Sequence, residues 1–314
     1  MVEVAQHLKG RDFVRIGTWN SEELKAALDL ADELKELRKR REPHELLPGR
    51  TLGMIFQKPS TRTRVSFEVG ILELGGYGLY LSAGDLQLGR GETIKDTAHV
   101  LERYLDAVMI RTFAQDDVEQ LAEHAEIPVI NGLTDYAHPC QALGDLMTIR
   151  ERLGRLSGAR LAYLGDGNNV CVSLMVGAAR FGMRFVAATP EGYEPDANAV
   201  MAARRAAVQM GGTVELTRDA GEAAREADVL YTDVWTSMGQ EEESEQRRKD
   251  LAGFHIDDEL LSHASPDAIV LHCLPAHYGE EITEEVLYGP QSAVWDQAEN
   301  RLHAQKALLA LIVS

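Results

Sequence analysis

The segment TLGMIFQKPSTRTR, residues 51–64, decides the reading of the chain. Thr51 to Phe56 form a short apolar run of strand length. After Pro59, Val65, Phe67, Val69, Ile71 and Leu72 continue as a helical segment. A strand that feeds a helix in this way is the first part of a βαβ unit. Outward from it the alternation recurs. Gly78 to Leu81, Ala107 to Ile110 and Pro128 to Ile130 are strand candidates, with helices around residues 93–105 and 117–125. Upstream, Asn20 and Glu23 form a capping box ahead of Leu24, Leu28, Leu30 and Leu34. A helix from His138 to about Leu153 leads to a second series, with strands at residues 161–164, 185–188, 213–216, 229–232 and 269–272. The expected fold is α/β, two doubly wound parallel-sheet domains, divided as residues 1–138 and 139–298. The last helix, residues 299–314, packs back on the first domain. Open parallel sheets bind ligands at the carboxyl ends of their strands, so the loops after strands are the places to search.

Composition sets the limits. The 314 residues carry 32 Lys and Arg against 50 Asp and Glu, so the formal charge is 32 − 50 = −18. With 45% hydrophobic residues the chain can bury full cores, and general nucleic-acid binding is disfavoured unless its cations are concentrated locally. Cys140, Cys171 and Cys273 are too few for a disulfide framework and form no CxxC pair, which fits a reducing cytoplasm and disfavours a cysteine-built zinc site. The start lacks the pattern of a signal peptide, and no apolar run reaches the roughly 18 residues of a membrane span.

Local concentration of cations is found at the strand ends. Ser60, Thr61, Arg62 and Thr63 stand where a helix begins, with unpaired backbone N–H groups and a dipole that favours an anion. Taken alone the string reads equally well as a capped helix with solvent-facing arginines. It lacks the GxxxxGK[ST] pattern of a nucleotide-hydrolysing loop. Arg111 follows the strand candidate at 107–110, delivering a cation to the same sheet edge, although alone it reads better as a surface arginine in a turn. His138 and Gln141 stand three apart at the start of a further helix, with Pro139 as its first residue. Three strand ends of one unit thus offer anion-binding groups. In the second series, Gly165-Asp166-Gly167-Asn168-Asn169-Val170 begins like a dinucleotide fingerprint, but Val170 occupies the place of its last glycine; it reads as a tight turn presenting Asn169. Asp233 follows a strand and suits an ammonium group, although turn formation explains it equally. The polar run 241–249 reads as a mobile, solvated segment able to close over a ligand. Cys273 can be a nucleophile, a polar contact or a small buried residue. His272 and His277 have no evident third partner, and no metal site is expected.

In order along the chain, STRTR at 60–64, HPCQ at 138–141, DVWTSMG at 233–239, HCLP at 272–275 and DQAENRLHAQKALL at 296–309 resemble the aspartate/ornithine carbamoyltransferase family, and within it the ornithine branch. The resemblance implies carbamoyl transfer from carbamoyl phosphate to the δ-amine of L-ornithine, giving L-citrulline and phosphate. It also implies an active site in the cleft between the domains, with no cofactor. Ser60, Thr61, Arg62, Thr63, Arg111, His138, Pro139, Cys140 and Gln141 would hold carbamoyl phosphate. Gln87 would reach a neighbouring subunit's site in a homo-oligomer, in this family a trimer. Asn169, Asp233, Ser237 and Met238 would hold ornithine, and Cys273, Leu274 and Arg301 would close the cleft from the other side. Arg62, Arg111, His138 and Cys273 would be the catalytic residues. Putrescine or an acylated ornithine as the amine, a dinucleotide-dependent dehydrogenase, and a non-enzymatic anion-binding module are the alternatives.

Overall fold

The structure is a computed structural model, and it describes residues 6–86, 91–237 and 239–313. These fall into two compact units: residues up to Met147 together with those from Glu299 onward, and Thr148–Ala298.

The first unit is built on a four-stranded parallel sheet of β1 (Thr51–Phe56), β2 (Tyr77–Ser82), β3 (Ala107–Arg111) and β4 (Val129–Leu133), in the order β2-β1-β3-β4. Ile55, Val108, Ile110 and Val129 pack with Ala98, Leu105, Val118 and Leu121 from the following helices and connections. Burying such branched side chains contributes about 1.5–3 kcal/mol each. Helix Ser21–Lys39 opens with the Asn20/Glu23 capping box that the sequence predicts. The chain leaves β1 to β2 on one side and then crosses to β3 on the other. The order therefore reverses between β1 and β3, whose ends are in register at Phe56 and Arg111. Such a reversal opens a crevice at the carboxyl ends of the two strands. The 57–60 loop and Arg111 are at that point.

The second unit repeats the device. Its parallel sheet contains β5 (Arg160–Leu164), β6 (Arg184–Ala188), β7 (Thr213–Thr217), β8 (Val229–Thr232) and β9 (Ile269–His272), in the order β7-β6-β5-β8-β9. The reversal lies between β5 and β8, where Leu164 faces Thr232. The turn at 165–168 and Asp233 follow directly. A core of Ala162, Leu164, Val186, Leu230, Val270, Ile282 and Val286 supports it.

Three local expectations are corrected. The division lies between Met147 and Thr148, inside helix Pro139–Leu153, because the first turns of that helix bond into the first unit. The polar run at 241–249 is mostly ordered as helix Ser244–Leu251, which buries Arg247 and Leu251. The last helix begins at Val294, not at residue 299. No helix among the described residues is long and apolar enough to cross a membrane.

Candidate functional site

In the first unit the chemistry gathers at the β1/β3 reversal. The Gln57 backbone N–H donates to the Arg111 carbonyl at 2.8 Å, and Thr112 Oγ1 donates to Gln57 Oε1 at 2.8 Å, so the two strand ends are stitched together. Ser60 caps helix Thr61–Glu73, its hydroxyl accepting from the Thr63 N–H at 3.2 Å. Lys58 is buried, pairs with Asp135 and lies 4.2 Å from the centre of the Phe113 ring. These contacts fix the loop from which Arg62 emerges half-buried.

His138 is buried just before helix Pro139–Leu153. Burial first, then the charges of Arg301, Arg111 and Arg62, hold its imidazole well below the usual histidine range. Three guanidinium groups close enough to act on one neutral imidazole form a strongly positive locus in an acidic protein. Arg301 is itself buried, donating to Gln141 Oε1 at 2.6 Å and to Thr63 Oγ1 at 3.1 Å. Within the first unit it thus joins Thr63, at the start of helix Thr61–Glu73, to Gln141, in the first turn of helix Pro139–Leu153. The long final helix carries it there because its residues from Glu299 on pack within that unit. Gln141 Nε2 in turn donates to Asp145. The Cys140 thiol points inward to the Asn131 carbonyl at 3.4 Å, and burial pushes it up to about 12. It stays a thiol at neutral pH. Thr61 is exposed and Pro139 opens its helix.

In the second unit the centre is Asp233. Its Oδ2 accepts from Asn168 Nδ2 at 2.7 Å, while Oδ1 accepts from Cys273 Sγ and from the Val234 N–H, both at 2.8 Å. Asn168 also caps helix Asn169–Arg180, its Oδ1 receiving the N–H groups of Val170 and Cys171. Sequence reading selects Asn169 and passes over Asn168; an Asn at the cap position after Gly165-Asp166-Gly167 is the signal that could have found it. Gly165 has φ +118°, and a Cβ on Gly167 would meet the nitrogen of Pro195 at 2.3 Å and the carbonyl of Tyr193 at 2.6 Å. The glycine thus admits the chain's own backbone where a dinucleotide fingerprint admits a pyrophosphate.

After β9, the His272 ring fixes the neighbouring loop. Its Nδ1 accepts from the Leu274 N–H at 2.8 Å, which leaves the proton on Nε2 to be donated to Glu281 Oε1 at 3.1 Å. The same carboxylate oxygen accepts from the His277 N–H at 2.6 Å. Leu274 takes φ +59° and precedes a cis Pro275. Glu281, fully buried, was not singled out from the sequence. Asp233, His272 and Cys273 each bring one atom able to bind a metal within 4.8 Å of the others, and so do His277, Glu280 and Glu281. The hydrogen bonds just given use the first three. Ser237 lies in the loop after Asp233, where its N–H donates to Gln240 Oε1 at 3.1 Å. Gln87 and Met238 lie outside the described residues.

Comparison with known proteins gives the same division of labour. Residues 11–151 match the family described as "Aspartate/ornithine carbamoyltransferase, carbamoyl-P binding domain", and residues 157–312 match its "Asp/Orn binding domain". The chain is 56% identical over 306 residues to an ornithine carbamoyltransferase of Thermococcus kodakarensis, covering 98% of this chain and 97% of that one. It is 57% identical over 309 residues to one of Oceanobacillus iheyensis, covering 98% and 96%. The solved structure of the Pyrococcus furiosus ornithine carbamoyltransferase superposes with a TM-score of 0.95 at 55% identity, covering 98% of each chain. The chain belongs to the aspartate/ornithine carbamoyltransferase family.

Proposed function

We propose that this protein transfers the carbamoyl group of carbamoyl phosphate to the δ-amine of L-ornithine, releasing L-citrulline and phosphate. The observation that carries the reading is that buried Arg301 bonds both Thr63, beside Arg62, and Gln141, beside the buried His138, while buried Arg111 ends β3 at the β1/β3 reversal, with the charges of all three arginines favouring the neutral imidazole. A dianion beside such a locus gains about 4 kcal/mol for each charge at ~4 Å and an effective dielectric near 20, before desolvation. In the reaction the neutral amine nitrogen forms a bond to the carbamoyl carbon and the carbonyl oxygen gains negative charge; the carbonyl then re-forms as the bond to the phosphate oxygen breaks with its electron pair, and the proton lost by the amine is carried off on the departing phosphate. Thr63, Arg111 and the N–H of His138 suit the growing oxyanion. Ser60, Thr61, Arg62 and Thr63 suit the departing phosphate, with Gln141 placed by Arg301. No covalent intermediate on the enzyme is required. Cys273 orients Asp233 through its 2.8 Å contact and does not attack.

The amine site is assigned to Asp233, Asn169, Ser237, Met238, Cys273 and Leu274. A carboxylate held by Asn168 and Cys273 suits an ammonium group better than the carboxylates of aspartate, which would call for cations there. The relative from Pyrococcus furiosus is named as the anabolic enzyme, and we assign citrulline formation in the cytoplasm, as in arginine biosynthesis. The working assembly is proposed to be a homotrimer with Gln87 contributed across the interface. Exposed Leu72, Tyr77 and Tyr80, on helix Thr61–Glu73 and edge strand β2, give a second copy an apolar face to cover. The test is an assay of purified protein with carbamoyl phosphate and ornithine, putrescine, N-acetylornithine or aspartate. Ornithine should yield ureido product far faster than the others; phosphate binding with no ureido product would leave an anion-binding module instead.

A further inference from the structure

Arg247 lies in helix Ser244–Leu251, buried, in a stretch whose composition suggests only a solvated surface. It holds three separate segments. Its Nη2 donates to the Asp166 carboxylate, in the turn after β5. Its Nε donates to the Trp235 carbonyl at 2.5 Å, two residues beyond Asp233. Its guanidinium carbon lies 4.9 Å from the centre of the Tyr193 ring. The Tyr193 carbonyl receives the Gly167 N–H at 2.8 Å, and the Tyr193 hydroxyl donates to Asp250 at 3.0 Å on Arg247's own helix.

A closed circuit results. Asn168 bonds Asp233 on one side of the 165–168 turn, and Arg247 ties Asp166 in that turn to Trp235 in the Asp233 loop. The two links constrain the direction in which the Asp233 carboxylate points. Arg247 also supplies the positive charge beside Asp166, whose carboxyl is raised to about 6, chiefly by burial and also by the nearby Asp233. A planar, multiply donating guanidinium meets a carboxylate, a carbonyl and an aromatic face together, which an ammonium group cannot do.

We propose that Arg247 is a positioning residue for the amine substrate: it touches neither substrate, and it fixes the Asp233 loop against the 165–168 turn so that Asp233 can receive ornithine. The inference rests on the assignment of Asp233 to the amine site.

The test is steady-state kinetics of Arg247→Met, Arg247→Lys and Asp233→Asn with both substrates varied, alongside thermal melts. Arg247→Met should raise the KM for ornithine by about tenfold or more, the loss expected from charge-assisted hydrogen bonds, while the KM for carbamoyl phosphate stays within about twofold. Arg247→Lys, which keeps the charge but loses the fork, should fall between Met and wild type; should Arg247→Met not fold, the same split in Arg247→Lys carries the test. An unchanged ornithine KM in the Arg247 variants, with Asp233→Asn still raising it, would overturn the positioning role alone. Equal rises in both KM values with a lowered melting temperature would also overturn it, since that marks general loosening. An unchanged ornithine KM in Asp233→Asn would remove the site assignment, and this inference with it.

Discussion

His138 is informative because its surroundings determine its protonation. Burial and three arginine charges favour the neutral ring, so at pH 7 it offers an N–H donor without adding a fourth positive charge. That suits the proposed role of a group that stabilises a growing oxyanion beside arginines proposed to bind the phosphate. His138→Ala removes the donor and should lower kcat by about 10²-fold, the loss found for single oxyanion donors. His138→Gln keeps an amide N–H and should lose less. Equal kcat in wild type and His138→Ala, measured at saturating substrates, would remove His138 from the oxyanion site. Arg301 shows why residue roles were only partly legible in the sequence. STRTR and HPCQ are contiguous strings that can be picked out locally as candidates, whereas Arg301 joins Thr63 and Gln141 across more than 150 residues of chain. No local pattern encodes that pairing.

Among the elements, the strands were the most legible. β3, β8 and β9 are buried throughout and coincide with apolar runs, because strands buried in a parallel sheet must be apolar on both faces, whereas the edge strands β2 and β7 are partly exposed and carry a weaker signal. Helix Ser244–Leu251 was not legible. It buries an arginine and a leucine, so its inward face carries no apolar stripe for a periodicity argument to find. Caps make the contrast between structural and functional elements testable. Asn20 caps helix Ser21–Lys39, and Asn168 caps helix Asn169–Arg180; loss of either cap should cost about 1 kcal/mol. Only Asn168 also bonds Asp233. Thermal melts should therefore show both Asn20→Ala and Asn168→Ala destabilised, while kinetics should show a raised ornithine KM in Asn168→Ala alone. A raised KM in Asn20→Ala, or none in Asn168→Ala, would detach the Asn168–Asp233 bond from substrate binding.

For the whole molecule, an acidic chain buries a few of its cations. Lys306, fully buried in the last helix, donates to Glu73 at 2.7 Å and meets His44 at 2.8 Å, while the arginines gather around His138. The net charge of −18 did not predict this, since it describes the surface and not the site. Burial has a consequence for stability. His138 is held well below 6.5 and His303 is lowered to about 4, chiefly by burial, so the folded state refuses protons that the unfolded chain accepts. Their contribution is fully present above pH 6.5 and is lost as the pH falls from there towards 4, at about 1.4 kcal/mol per pH unit for each histidine. Denaturant unfolding across that window should show stability falling with pH, and His303→Gln should flatten the slope. A slope unchanged by the substitution would mean that His303 titrates normally.

The central claim is that one unit's strand ends bind the phosphate donor and the other's bind the amine. Calorimetric titration with carbamoyl phosphate tests it most directly. Wild type and Asp233→Asn should bind with similar affinity, whereas Arg111→Met should lose at least about tenfold. Undiminished binding by Arg111→Met, or binding abolished in Asp233→Asn, would contradict the account.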